Sequence, residues 1–117
     1  MEVNFKMAGG AMIVQLCGEL DHHHAAKVRE TIDQAAASSS SKHLILDFSR
    51  VSFMDSSGIG VVLGRYKKIK AAGGVILIMS CSEQIRHILN MAGIFSIIDY
   101  MDNETDALDF LRRKEVM

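Results

Sequence analysis

The sequence predicts an α/β domain: a mixed β-sheet that opens with an antiparallel hairpin and carries helices packed mainly on one side. Three observations support this. Val3, Phe5 and Met7 recur at every second position, as do Met12, Val14 and Leu16, with Gly9-Gly10 between them. Two later segments, around 43–48 and 75–79, have continuous apolar centres, as expected of strands buried on both faces. The windows between and after them carry apolar residues at helical spacing. Strands separated by helices imply parallel crossovers, so only the first pair is antiparallel.

Each element follows from local chemistry. Glycine at both positions of the 9–10 pair supplies the positive φ that a primed two-residue turn demands. Asp21 is placed to cap a first helix, whose apolar face is Ala25, Val28, Ile32 and Ala36. Ser38 to Ser41 form a polar linker, expected to be an exposed loop. The strand at 43–48 follows, and residues 49–54 read as a connection. A helix over residues 57–72 presents Ile59, Val62, Leu63, Tyr66 and Ile69 and stops at Gly73-Gly74. After the apolar strand at 75–79, Ser82 caps a helix that runs to Ala92 and ends at Gly93. A short strand at 97–100 precedes a closing helix at 104–114, acidic at its start and basic at its end, as the macrodipole prefers. Met91, Ile94 and Phe95 are expected in the core.

Composition narrows the function. The 117 residues suit one domain, taken as 1–117, and a hydrophobic content of 49 % suits a packed core. Two cysteines, Cys17 and Cys81, fall in apolar stretches and are expected to be reduced thiols rather than a disulfide framework. A formal net charge of -1 supplies no field for nucleic acid or acidic membranes. The basic residues Arg65, Lys67, Lys68 and Lys70 are spread around a helix, as on a solvated surface. No stretch approaches the roughly 20 apolar residues of a membrane span. No secretory signal opens the chain, and the expected compartment is the cytoplasm.

The most informative segment follows the first buried strand. Asp55, Ser56 and Ser57 can accept bonds from the first turn of the next helix, and an N-cap alone would explain them. Gly58, Gly60 and Gly64 weaken that explanation, since each costs of order 1 kcal/mol in a helix relative to alanine. Packing of Gly60 and Gly64 against the sheet would account for part of this, whereas Gly58 would leave the helix end approachable. A phosphate on a serine there would add roughly -1.5 to -2 charges. The helix terminus tolerates such charge, so a docked partner would be repelled while the fold survives.

The segments Gly18-Glu19-Leu20-Asp21-His22-His23, Phe53-Met54-Asp55-Ser56-Ser57-Gly58-Ile59-Gly60-Val61-Val62-Leu63-Gly64-Arg65-Tyr66-Lys67 and Ala92-Gly93-Ile94-Phe95 together resemble the STAS family, in particular the bacterial anti-sigma factor antagonists of sporulation. The likeness extends over nearly the whole chain. It implies a single STAS domain that is no enzyme, needs no cofactor and works by partner switching. The unphosphorylated form would bind an anti-sigma factor that is also a serine kinase, freeing the sigma factor and so regulating transcription. The kinase would phosphorylate Ser56 (alternatively Ser57) and let go, and a serine phosphatase would restore the active form. The implied partner surface is Asp21, Asp55, Ser57, Gly58, Ile59 and Gly60. Two features depart from the family pattern: His24 replaces a smaller polar residue, and the 38–41 linker is long and serine-rich.

Rival chemistries fit less well. Consecutive residues at the start of a helix point about 100° apart, so His22, His23 and His24 cannot converge on one metal ion unaided. A serine hydrolase would need Ser56 or Ser57 beside a histidine base, but the turn is not Gly-x-Ser-x-Gly. Gly58-Ile59-Gly60 and Gly73-Gly74 match neither the P-loop nor the dinucleotide fingerprint. Weak nucleotide binding stays open, since some STAS relatives are associated with nucleotides.

Overall fold

In the computed structural model, which describes residues 1–116, the chain forms β1 (Glu2–Ala8), β2 (Ala11–Leu20), α1 (Ala25–Ser38), β3 (His43–Met54), α2 (Ser56–Ala71), β4 (Ile76–Met79), α3 (Glu83–Met91), a 3-10 turn (Ile94–Ser96), β5 (Asp99–Met101) and α4 (Glu104–Val116). The five strands lie side by side in chain order. Only β1 and β2 are antiparallel; the other pairs are parallel. The hairpin turn is Gly9-Gly10, with φ of 56° and 80° and Ala8 facing Ala11.

Because the strand order never reverses, right-handed crossovers deliver α1, α2 and α3 to the same face. That face is built on rows of paired residues such as Val14, Leu46 and Ile78. Against it pack Val28 and Ile32 of α1, Val62 of α2, and Ile85 and Leu89 of α3. The alternate row, Ile13, Ile45 and Leu77, faces the other way and is covered by Ala107 and Leu111 of α4. Three helices on one side and one on the other explain the unbroken apolar runs at 44–46 and 76–79, where both faces of the strand are covered.

Several local expectations give way. Residues 49–54 are strand rather than connection, because β3 carries extra residues against β2, with register shifts between Gln15 and Cys17 and between Gly18 and Glu19. These bulges turn the burial pattern into two exposed residues per buried one, with Val51 and Met54 inside. The last strand starts two residues later than expected and ends at Met101. Helix α1 begins at Ala25 with His24 as its N-cap residue; Asp21 instead caps the tight turn before it, where its Oδ1 accepts from the N–H of His23 (3.1 Å) and of His24 (3.2 Å).

Helix α2 is rotated from its expected stripe. Gly58, Val61, Val62 and Arg65 are buried, while Ile59, Leu63, Tyr66 and Ile69 are half-buried on its flank. Arg65 is therefore a core residue and not part of a solvated basic surface, unlike the exposed Lys67, Lys68 and Lys70. Met91 is 74 % exposed at the end of α3; Ile94 is buried and Phe95 half-buried. Cys17 and Cys81 are free and half-buried. Among the described residues no helix is long and apolar enough to cross a membrane.

Candidate functional site

Leu20 and Met54 face each other at the ends of β2 and β3, and Asp21 and Asp55 are the next residues of each strand. Strand β4 pairs with β3 only as far as Asp47, so residues 48–54 run on beside β2 alone. The two carboxylates thus stand at the tip of a two-stranded projection. Leu20 and Met54 turn into the core, while Phe53 is 44 % exposed.

Asp55 joins the two loops there. Its Oδ1 accepts from Ser57 N–H at 2.9 Å, capping α2, and its Oδ2 accepts from His22 N–H at 3.1 Å. The Asp55 carbonyl takes the N–H groups of Gly58 (3.1 Å) and Ile59 (3.2 Å). Much of the helix end expected to be free for a phosphate is thus already occupied, three of its N–H groups by Asp55 itself.

Asp21 is organised separately. Its Oδ1 lies 2.8 Å from His24 Nδ1, so the residue that departs from the family pattern pairs with a residue of the implied partner surface. Burial pushes the Asp21 carboxyl up, but the His24 ring and the N–H groups of His24 and His23 outweigh it and hold it below the usual carboxylate range.

Gly58 is buried, contrary to the expectation of an open helix end. A Cβ there would stand 2.6 Å from the Leu20 carbonyl oxygen and 2.7 Å from Met54 Cγ. Its role is to let α2 start directly on the end of β2. Gly60 and Gly64 are the opposite case: a Cβ on either would meet nothing within 4 Å, so packing against the sheet does not explain them. Ser56 and Gly60 are exposed, and Ser57 and Ile59 are half-buried. The structure therefore brings Asp21, Asp55, Ser56, Ser57, Ile59 and Gly60 to one rim and puts Gly58 beneath it. The backbone of His22 also belongs to this rim, and exposed Phe53 stands two residues before Asp55 on β3. The sequence signal for Phe53 was its place at the head of the segment that resembles the family; its exposure follows from the two-exposed, one-buried pattern of residues 49–54, which the sequence did not show.

The rival sites are not assembled. His24 Nδ1 is engaged by Asp21, and His43 Nδ1 accepts from Val75 N–H at 3.0 Å. The His22 and His23 rings meet edge to face, 5.9 Å apart. Among the described residues no His, Cys, Asp and Glu side chains group in threes to hold a metal ion, and no histidine hydrogen-bonds the Ser56 or Ser57 hydroxyl.

A five-stranded sheet wound in one direction, with a capped serine turn at the tip of its second and third strands, defines the class. Residues 2–107 match the STAS domain model, and the chain belongs to the STAS family of anti-sigma factor antagonists, which are regulatory proteins rather than enzymes. It is 39 % identical over 108 residues to the anti-sigma F factor antagonist of Paenibacillus polymyxa, covering 92 % of each chain. The anti-sigma-B factor antagonist of Bacillus subtilis is 30 % identical over 99 residues, 85 % of this chain and 89 % of that one. Among solved structures, the anti-sigma factor antagonist SpoIIAA in its unphosphorylated form superposes with a TM-score of 0.79 at 31 % identity, over 95 % of this chain and 96 % of that one. An anti-sigma factor antagonist from Mycobacterium paratuberculosis shares the fold, with a TM-score of 0.81 at 23 % identity over 95 % and 93 % of the two chains.

Proposed function

We propose that this chain works as a cytoplasmic partner switch: unphosphorylated, it binds an anti-sigma factor that is also a serine kinase, and phosphorylation of Ser56 releases it. A serine phosphatase resets the protein. The observation that carries the choice of residue is the asymmetry of the two serines. Ser56 is exposed at the first turn of α2, whereas Ser57 is half-buried and its N–H is held by Asp55. A kinase must reach the hydroxyl from solvent, which favours Ser56. Phosphorylated and unphosphorylated forms are both known for SpoIIAA, which is 31 % identical to this chain.

The partner surface consists of Asp21, Asp55, Ser57, Ile59 and Gly60, extended by Phe53. Exposed Gly60, without a side chain, allows a partner to approach the α2 backbone closely. A phosphate on Ser56 would put a dianion beside the Asp55 carboxylate, whose oxygens are already committed to Ser57 and His22. Like charges on that rim cost a docked acidic partner several kcal/mol by order of magnitude.

The test is incubation with the anti-sigma kinase of the same genome and ATP, followed by tandem mass spectrometry and gel filtration of wild type, Ser56→Ala and Ser57→Ala. One phosphate, lost only in Ser56→Ala and accompanied by release of the kinase, is the expected result. Phosphate on Ser57 alone moves the site, and neither phosphate nor complex overturns the reading.

A further inference from the structure

Strand β1 carries a feature that the switch does not use. It is one of the two outer strands of the sheet, and its seven residues far exceed the three of β5 at the other edge. Glu2, Asn4, Phe5, Lys6 and Met7 are exposed, Phe5 at 41 % and Met7 at 53 %. Its register against β2 runs unbroken from Glu2 facing Cys17 to Ala8 facing Ala11. Neither a proline nor a bulge interrupts it, so two common devices that keep an edge strand from pairing are missing.

The turn decides which backbone groups point outwards. A two-residue turn closes on a bonded pair, here Ala8 and Ala11, and bonded pairs then alternate along an antiparallel ladder. Glu2, Asn4, Lys6 and Ala8 therefore bond β2, while Val3, Phe5 and Met7 direct their N–H and C=O groups away from it. The side chains split the same way. Val3 packs against the core on the face that carries α1, α2 and α3, and Phe5 and Met7 share that face. Glu2, Asn4 and Lys6 project on the α4 face, where Lys6 Nζ meets Glu104 Oε1 at 2.7 Å.

We propose that β1 pairs antiparallel with β1 of a second copy of this chain, joining the two sheets edge to edge with Asn4 at the two-fold axis. The strand is self-complementary about that residue: Glu2 falls opposite the second copy's Lys6, and Val3 opposite its Phe5. Val3 and Phe5 are residues whose backbone groups point outwards, so these pairs exchange the bonds of the new ladder. Their side chains cover each other and take apolar surface of Phe5 out of water. Shifting the pairing by two residues sets Glu2 and Lys6 against neutral residues or none. Shifting it by four sets Glu2 against Glu2 or Lys6 against Lys6, which opposes pairing. A lysine on an exposed edge ordinarily blocks pairing. Here it selects the register, since an ammonium held by Glu104 keeps donors for the second copy's Glu2. The surface is independent of the Ser56 switch, and the antiparallel joint points the two Ser56 rims to opposite ends of the combined sheet.

Sedimentation equilibrium of the full chain tests the proposal. The wild type should pass from monomer to dimer as its concentration rises to about 1 mM, where even a dissociation constant of that order populates the dimer. Glu2→Lys and Lys6→Glu each set like charges opposite one another, and each should weaken self-association about tenfold or more. Mixed in equal amounts, the two variants set a base against an acid at both positions and should form a heterodimer of about wild-type affinity. Phe5→Pro removes an outward N–H without touching the bonds to β2 and should leave the chain monomeric. If that variant fails to fold, the charge variants decide. A wild type that stays monomeric leaves the edge to a protein of another kind and overturns the proposal. Growth beyond two copies, wild-type association in either charge variant, or no recovery on mixing would each overturn it as well.

Discussion

Asp55 reaches 33 residues back along the chain to hold the N–H of His22 at 3.1 Å, while its other oxygen caps its own helix at Ser57. One carboxylate therefore fixes the mutual position of the two loops that form the rim. Replacing Asp55 by alanine should remove both bonds and cost about 2 kcal/mol, roughly 1 kcal/mol for the cap and a similar amount for the bond to His22. Asp55→Asn, with a single carbonyl oxygen, should keep one bond and fall between. Urea unfolding of the three proteins measures this, and equal midpoints would refute the bridging role.

The glycines of α2 should respond in opposite directions to alanine. Gly58→Ala places a methyl group against the Leu20 carbonyl and should destabilise by about 1–3 kcal/mol despite the better helix propensity. Gly60→Ala and Gly64→Ala meet open space and should each stabilise by about 0.5–1 kcal/mol. Thermal melts decide the sign. Gly60→Ala should nonetheless bind the anti-sigma factor less well, which separates a packing glycine from an interface glycine.

Acid should loosen the Asp21 turn. Its carboxyl is held below the ordinary value of 3.8 in the folded protein, so the unfolded chain takes up a proton first as the pH falls. The contribution of Asp21 is thus fully present above that ordinary value and is lost as pH drops through the folded one. Asp21→Asn should flatten this part of the acid limb in urea midpoints taken from pH 6 downwards; an unchanged slope would exclude Asp21 as its source.

Cys81 should be a sluggish nucleophile. Burial pushes its thiol up to about 12, with Arg86 opposing and Asp47 adding. Only about one molecule in ten thousand would be thiolate at pH 8, so alkylation by iodoacetamide should be far slower than for an ordinary exposed thiol. Labelling of Cys81 at the rate of free cysteine would contradict the burial.

Phe53 should matter to binding and not to folding. Exposed as it is, Phe53→Ala should change stability by no more than about 0.5 kcal/mol. If it belongs to the partner surface, its loss should weaken the anti-sigma factor complex by more than about 1 kcal/mol. Calorimetry on the two proteins tests both halves.

Much of this was legible in the residues. The hairpin followed from Gly9-Gly10, the central strands from their unbroken apolar runs, and the capped turn from Asp55 and the serines. The misreadings share a cause, since long-range geometry overrode local pattern. Bulges converted the 49–54 strand to a rhythm that no alternation rule detects. Arg65 lies on the same buried face of α2 as Gly58, Val61 and Val62, and no local signal announces an arginine inside. Met91 is apolar but falls on the outer side of the last turn of α3. Asp21 caps a turn that propensity alone could not separate from the helix behind it.

The unreversed strand order bears on inhibition. Open α/β sheets hold small ligands in the crevice where strand order turns back, and this sheet never turns back. The Ser56 rim is consequently poor ground for a drug-sized competitor. Blocking the switch calls for a large ligand, such as a nanobody or designed miniprotein that covers Phe53 and Gly60 together.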